Sequence, residues 1–199
     1  MFNLFRKKKN ETLEKRYVLT ETEVENFGFQ THWAVIKSKS AEKVLEILSN
    51  IESINKDNIG IITDTHSDMI IINDRHLELC KLNRNWELEF DDLRELSRHF
   101  DTVYYFLTHT VSDVYGWFKF ENNEMIRGFY TLEMEVPLDK GEKTKVEKDF
   151  NMNYSVADEP EDCVLPGEED VMDIAEAWTL NPLYLTEIPG IKAYRITKE

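Results

Sequence analysis

The stretch TVYYFLTHTVSDVYGWFKFENNEMIRGFYTLEMEV, residues 102–136, decides the fold of this protein. Aromatic and β-branched residues dominate it in a pattern that is typical of β-strands. The dipeptide Asn122-Asn123 separates two such runs and tolerates the positive φ angles of a tight hairpin turn. Because both faces of these strands are largely apolar, the sequence predicts central strands that are covered on two sides.

Further elements are predicted on both sides of this hairpin. A strand over 31–38 leads into a helix over 41–50, for which Ser40 fits the N-cap position. Other strands are predicted over 59–63, 69–73, 85–90 and 191–197, other helices over 91–100 and 168–180, and a loop over 139–149. The sequence therefore predicts an α+β fold: one mainly antiparallel sheet built around the 102–135 hairpin, with two to four short helices packed on it.

The charge of the chain is strongly negative and unevenly distributed. Its 199 residues carry a formal net charge of −15. Residues 1–16 hold six basic and two acidic side chains, a net +4, so residues 17–199 carry −19. We expect residues 1–16 to be a flexible basic leader and residues 17–199 to form a single domain. The apolar residues of the leader precede its basic cluster, the reverse of a secretory signal, so a cytoplasmic location is expected.

The acidic body also restricts the partners. Nucleic acid and anionic membranes would be repelled, whereas a basic protein would be attracted. No apolar run approaches the length of a membrane span. The candidate partner-binding residues lie in an acidic segment and at the start of the helix that follows it: Asp158, Glu159, Glu161, Asp162, Glu168 and Glu169. The alternative is that the acidic charge serves solubility alone.

His109 and Asp113 invite a chemical interpretation because they interrupt an apolar stretch. A histidine beside a carboxylate can act as an acid or a base, with its pKa set by that neighbour. One hypothesis makes His109, Asp113, Tyr115 and Trp117 the wall of a ligand pocket. The structural alternative is a strand-end histidine bonded to a loop backbone, with Asp113 in a turn, and the sequence favours it. Gly116 predicts a bulge or a close approach of another backbone or a ligand.

Other chemistry has weaker support in the sequence. No glycine-rich phosphate loop and no serine or cysteine nucleophile motif is present, so no cofactor is expected and an enzyme is disfavoured. Cys80 and Cys163 lie far apart and are expected to be reduced thiols. Asp64, His66 and Asp68 alternate in a way that fits a metal site, but ordinary turn chemistry explains them better, so no metal is expected.

Three segments carry a resemblance to a known family. They are NWELEFDDLRELSRHF (85–100), VYYFLTHTVSDVYGWFKFENNEMIRGFY (103–130) and EEDVMDIAEAWTLNP (168–182). From about Leu79 to Tyr184 the chain resembles a family of small bacterial cytosolic proteins with no assigned activity. Relatives commonly have glycine before the tryptophan of the first segment, where this chain has Asn85.

The resemblance implies a shared pattern of residues and no reaction. The pattern comprises Thr108, His109, Trp117, Arg127, Tyr130 and Trp178. Arg127 thereby joins His109, Asp113, Tyr115 and Trp117 among the candidate ligand-binding residues.

Two functions follow as expectations. The first is a non-enzymatic protein-binding module, such as an immunity protein that neutralises a basic toxin, because acidic charge speeds capture of a basic partner. The second is a small-ligand sensor or enzyme with its pocket near His109 and Trp117.

Overall fold

The strands predicted in residues 102–136 are interior strands of a large sheet. The computed structural model describes residues 17–64, 67–84, 87–155 and 164–198. The strands are β1 Tyr17–Thr22, β2 Thr31–Lys37, β3 Gly60–Asp64, β4 Met69–Asn73, β5 Lys81–Leu82, β6 Leu88–Glu89, β7 Val103–His109, β8 Val114–Glu121, β9 Glu124–Leu132, β10 Glu135–Lys140 and β11 Lys192–Lys198. Nine of them form one antiparallel sheet in the order β1-β11-β3-β4-β2-β7-β8-β9-β10, while β5 and β6 pair separately.

Four α-helices are present in the described ranges, so the predicted α+β fold is confirmed. They are α1 Ala41–Asn50, α2 Asp91–Leu96, α3 Lys145–Asp149 and α4 Glu168–Trp178. The side chain of Ser40 accepts a hydrogen bond from Lys43 N at 3.2 Å, which is the predicted N-cap of α1. Three acidic residues in the first turn of α4 face the positive end of its dipole. No helix among the described residues is long and apolar enough to cross a membrane.

Both faces of the sheet are covered. Strand alternation sends Tyr105 and Leu107 of β7 to the face that packs against α1 and α2, here called the α1 face. Phe106 and Trp117 point to the opposite face, which packs against α4 and is called the α4 face. Burial on both faces explains why β2 and β7 read as nearly continuous apolar runs instead of alternating with polar residues.

The turns of the central hairpins agree with the sequence. Asn122 and Asn123 adopt φ angles of 49° and 70° between β8 and β9, as predicted for a tight turn. The turn between β7 and β8 is one 3₁₀ turn that ends at Asp113, with φ at 45°. A Cβ atom at Gly116 would lie 2.6 Å from the Tyr130 Cβ and 2.8 Å from the Phe129 carbonyl oxygen. Gly116 therefore permits the predicted close approach, and the approaching backbone is that of β9.

Several elements differ from the sequence prediction. The predicted loop over 139–149 instead contains the end of β10 and the whole of α3. Thr144 and Glu147 form a capping box at the start of α3, a signal that the polar composition concealed. The strand predicted over 85–90 is reduced to β6, and Asn85 and Trp86 lie outside the described residues. Strand β1 at one edge of the sheet was not predicted.

Candidate functional site

The predicted ligand-binding residues do not line one cavity. His109 lies two residues after Leu107 on β7 and shares the α1 face with it. Tyr115 and Trp117 of β8 belong to the buried cluster on the α4 face. Asp113 occupies the turn between the two strands. Only His109 of the five residues lines the cavity described below.

Trp117 and Arg127 belong to a buried polar network. The guanidinium of Arg127 donates to the Glu147 carboxylate, with Nη2 at 2.7 Å and Nε at 2.9 Å from Oε1. Trp117 Nε1–H donates to the same oxygen at 3.1 Å, and Arg127 also pairs with Asp139. Arg127 and Glu147 are each only 1% exposed. These contacts pair the indole N–H, the guanidinium and the carboxylate with one another inside the protein.

A cavity of about 470 Å³ lies on the α1 face, at the end of the sheet that carries the turn between β7 and β8. We call it the histidine cavity. Its walls are mostly apolar, and its polar side chains are two imidazoles, one hydroxyl, one phenol and one carboxylate. The lining residues are His32, Leu77, Leu82, Leu88, Leu107, His109, Ser112, Val114, Tyr130, Leu132 and Glu133. The size and the apolar character are typical of small-molecule sites.

The position of each wall follows from the topology. His32 on β2 pairs with Leu107 on β7, so His32 and His109 are diagonal neighbours on the α1 face. Leu82 and Leu88 come from the separate β5–β6 hairpin, which covers this face. Leu77 lies in the turn after β4 with a positive φ of 56°, an uncommon conformation for leucine. Residues from distant parts of the chain therefore enclose the cavity.

His32 is an uncharged imidazole in this setting. Its side chain is 6% exposed, and burial together with the nearby His109 lowers its pKa to about 4. Hydrogen bonding with the backbone of Asp74 and Arg75 raises the pKa and only partly offsets these effects. Nδ1 of His32 and Nδ1 of His109 are both buried, and neither has a hydrogen-bond partner among the described residues. A buried nitrogen without a partner is costly to the folded protein.

Asp74 organises the turn that supplies Leu77. Its buried carboxylate accepts hydrogen bonds from Glu78 N at 2.6 Å, Leu79 N at 3.0 Å and the Tyr105 hydroxyl at 2.9 Å. Burial raises the pKa of Asp74 to about 7, although these three donors act against the rise. The backbone N–H of Asp74 also donates to the His32 carbonyl at 2.9 Å. Asp74 thus connects the turn to both β2 and β7 at the cavity.

The structure describes only two of the six acidic residues that are predicted to bind a partner. Asp158, Glu159, Glu161 and Asp162 lie outside the described residues. Glu168 and Glu169 begin α4, and the Thr110 hydroxyl donates a hydrogen bond to Glu168.

This contact places the acidic start of α4 beside the turn between β7 and β8. Val111 in that turn is 80% exposed. Burial raises the pKa of Tyr115, and the nearby carboxylates of Asp113 and Glu168 add to the effect. An exposed apolar residue therefore lies among acidic side chains at this end of the sheet.

A second, larger cavity of about 610 Å³ lies beside β3, β4 and β11. Glu23, Glu25 and Asp57 contribute negative charge to its walls, while Arg75 and Arg195 contribute positive charge. Charges of both signs indicate no single ligand chemistry there.

The described residues form no metal site, and the cysteine among them is buried. No group of three or more His, Cys, Asp or Glu side chains in the described ranges could hold a metal ion. His66, the histidine of the weak metal hypothesis, lies outside these ranges, as does Cys163. Cys80 is a buried free thiol whose pKa is raised by burial.

Of the two histidines that line the cavity, the sequence pointed to His109 and not to His32. His32 stands at the start of a predicted strand and alternates with the apolar residues Ala34 and Ile36. This pattern places the histidine on an apolar face, and it is the sequence feature that could have identified His32. Of the residues in the resemblance pattern, His109 and Tyr130 line the histidine cavity.

Comparisons with protein-family models, with curated proteins and with solved structures each found no match.

Proposed function

We propose that the protein binds one small, mainly apolar molecule in the histidine cavity. The observation that carries this proposal is a mostly apolar cavity of about 470 Å³ whose lining includes the imidazoles of His32 and His109. Small-molecule sites are typically apolar cavities of this size with a few polar groups that orient the ligand. A ligand that fills the cavity would contact its apolar wall, and the polar lining side chains are the groups suited to orient it.

Binding without catalysis fits the cavity better than an enzyme does. A serine nucleophile needs a base within hydrogen-bond reach. Ser112 and His109 both line the cavity, but they share no hydrogen bond in the described chain. The lining groups are suited to holding a ligand, as in a sensor or a carrier. This is the ligand-binding alternative predicted from the sequence, with His109 retained and with Asp113, Tyr115, Trp117 and Arg127 outside the cavity lining.

Filling the cavity should abolish binding of an apolar probe. Val114 is half-buried and lines the cavity, so Val114→Trp places an indole inside it. The neutral dye N-phenyl-1-naphthylamine should bind the wild-type protein with one dye per chain and gain fluorescence. We expect Val114→Trp to weaken this binding at least about tenfold, which corresponds to ~1.4 kcal/mol.

Val111→Trp is the matched control. Val111 lies on the same turn region but is exposed and does not line the cavity. This variant should bind the dye as the wild-type protein does. Equal dye binding by Val114→Trp and the wild-type protein would contradict the proposal, as would an absence of binding to the wild-type protein.

Capture of a basic protein is the second candidate function. The observation that favours it is Val111, an exposed apolar residue in the turn that ends at Asp113 and that contacts Glu168 through Thr110. Apolar residues at the centre of a charged rim are common in protein interfaces. A toxin-neutralising immunity protein and other acidic regulators both fit this chemistry. Such a complex would form faster at low salt and would not require the histidine cavity.

A further inference from the structure

We infer that the ligand of the histidine cavity is a cationic amine, with its apolar body inside the cavity and its ammonium group beside the Glu133 carboxylate. This inference rests on the proposed function, and it specifies the chemical class of the ligand: an apolar molecule with one amine, as opposed to a neutral molecule or an organic acid. It follows from the position of Glu133 and from the charges around the cavity.

Glu133 supplies a negative charge to the cavity lining. It lies in the two-residue turn between β9 and β10, where Leu132 pairs with Glu135. Glu133 is exposed and also lines the cavity, so the cavity meets the solvent at this residue, here called the mouth. Among the described residues, the Glu133 carboxylate has no ion-pair or hydrogen-bond partner. Small-molecule sites commonly use one such charged group to orient an otherwise apolar ligand.

The backbone of Glu133 adopts a conformation that glutamate rarely adopts. Its φ angle is 54°, in the left-handed region that favours glycine and asparagine. Glutamate therefore costs stability at this position and makes no polar contact within the described chain in return. Residues in unfavourable backbone conformations cluster at ligand sites. The carboxylate is thus available to a partner from outside the chain.

The cavity offers no fixed cation to an organic acid. None of its described lining residues is lysine or arginine, and His32 is uncharged near neutral pH because its pKa is lowered to about 4. The basic residues close in sequence to the wall do not line it. Lys81 pairs with Asp92 at 3.0 Å. Arg75 lines the second cavity, and Arg84 is exposed. An anion in the histidine cavity would therefore meet Glu133 without a compensating charge.

Negative charge continues around the mouth. Burial raises the pKa of the Tyr130 phenol, which lines the cavity, and the nearby Glu87 carboxylate adds to the rise. Residues 17–199 together carry a net charge of −19, which attracts cations to clefts in the surface. An ammonium group at the mouth stays in contact with water while the apolar body is buried, so binding buries no unpaired charge.

Three naphthalene compounds of similar size test this inference on the wild-type protein. Near pH 7, 2-naphthylmethylamine is a cation, 2-naphthylmethanol is neutral and 2-naphthoate is an anion. We expect the amine to bind about fivefold more tightly than the alcohol, since its ion pair with an exposed carboxylate is partly screened by water. The naphthoate should bind more weakly than the alcohol. Calorimetry or ligand-observed NMR measures all three affinities without requiring any variant to fold.

Substitution of Glu133 assigns the preference for the amine to that residue. Glu133→Gln should bring the affinities for the amine and the alcohol within a factor of about two and leave the affinity for the alcohol unchanged. Glu133→Asn should do the same and, because asparagine favours the left-handed region, should fold at least as stably as the wild-type protein. Glu135→Gln is the matched control, because Glu135 is exposed in the same hairpin and does not line the cavity. This variant should keep the preference for the amine.

The outcomes separate the inference from the proposed function. Equal binding of the amine and the alcohol to the wild-type protein, lost in Val114→Trp, would overturn the amine inference and leave the proposed function standing. Tightest binding of the naphthoate would likewise overturn the inference alone. A preference for the amine that survives in Glu133→Gln, or that Glu135→Gln removes as well, would also overturn it. If none of the three compounds binds, both the inference and the proposed function fail.

Discussion

Replacing Glu147 by alanine should destabilise the protein by about 3–5 kcal/mol, the cost of leaving a buried charge without its partner. Arg127 is 1% exposed, and its Nε and Nη2 both donate to the Glu147 carboxylate. The same carboxylate accepts from Trp117 Nε1–H and from Thr144 N–H, so its removal also leaves these donors without partners. Urea unfolding of the wild-type protein and the variant measures the difference in the free energy of unfolding.

Asp139→Ala provides the control on the same arginine. Asp139 pairs with Arg127 as well, but its side chain is 48% exposed, so water screens the pair. We expect this variant to lose about 1 kcal/mol or less. If Glu147→Ala costs no more than Asp139→Ala, the buried network does not stabilise the fold as described. Binding of an apolar ligand should survive in Asp139→Ala, because the network lies on the α4 face and the cavity on the α1 face.

The stability that the Glu147 carboxylate contributes should depend on pH, and this dependence gives a second test of the buried network. Burial raises the pKa of Glu147, but the hydrogen bonds from Arg127 and Thr144 outweigh it, and the pKa is lowered overall. A lowered pKa in the folded state means that this stabilisation is present above the unfolded pKa and is lost as the pH falls through the folded pKa. The stability difference between the wild-type protein and Glu147→Ala should therefore shrink in acid.

At about pH 5, Asp74→Ala should destabilise the protein by about 3 kcal/mol or more, because three donors, two of them buried, lose their acceptor at once. These donors are Glu78 N, Leu79 N and the Tyr105 hydroxyl. The turn that places Leu77 against the histidine cavity would loosen, so we also expect weaker binding of an apolar probe. Thermal or urea unfolding measures the first effect, and dye titration of the folded variant measures the second.

The loss of stability caused by Asp74→Ala should become smaller as the pH rises. The pKa of Asp74 is raised to about 7 in the folded protein, so the folded state holds a proton that the unfolded state has lost. The contribution of Asp74 to stability is fully present below the unfolded pKa and declines as the pH rises through about 7. We expect the cost of the substitution to fall by about 3 kcal/mol from about pH 5 to about pH 8. A cost that rises with pH would contradict this account of Asp74.

The sequence predicts the local features of this fold well. The hairpin over 102–136 is readable because its alternation and its Asn122-Asn123 turn are properties of neighbouring residues. The N-cap at Ser40 and the dense packing at Gly116 are local in the same sense. For these segments, the type of element could be inferred from short windows of sequence.

The histidine cavity could not be predicted in the same way. His32 and His109 meet only through the register between β2 and β7, which are far apart along the chain. Alternation across the intervening turn places His109 with Leu107 on the α1 face and Trp117 on the α4 face, so the two predicted site residues lie on opposite sides of the sheet. Leu77 and Asp74 lie in a turn whose conformation depends on three hydrogen bonds, two of them to a carboxylate. Such contacts depend on the tertiary structure.

The mass of the protein purified under native conditions tests the central claim most directly. Native mass spectrometry of the wild-type chain, prepared without detergent, should show an added mass of roughly a few hundred daltons, the size of a ligand that fills the histidine cavity. The added mass should be absent from Val114→Trp and present in Val111→Trp. An unliganded wild-type chain, or an added mass of roughly tens of kilodaltons that dissociates at high salt, would contradict ligand binding, and the second result would favour capture of a basic protein.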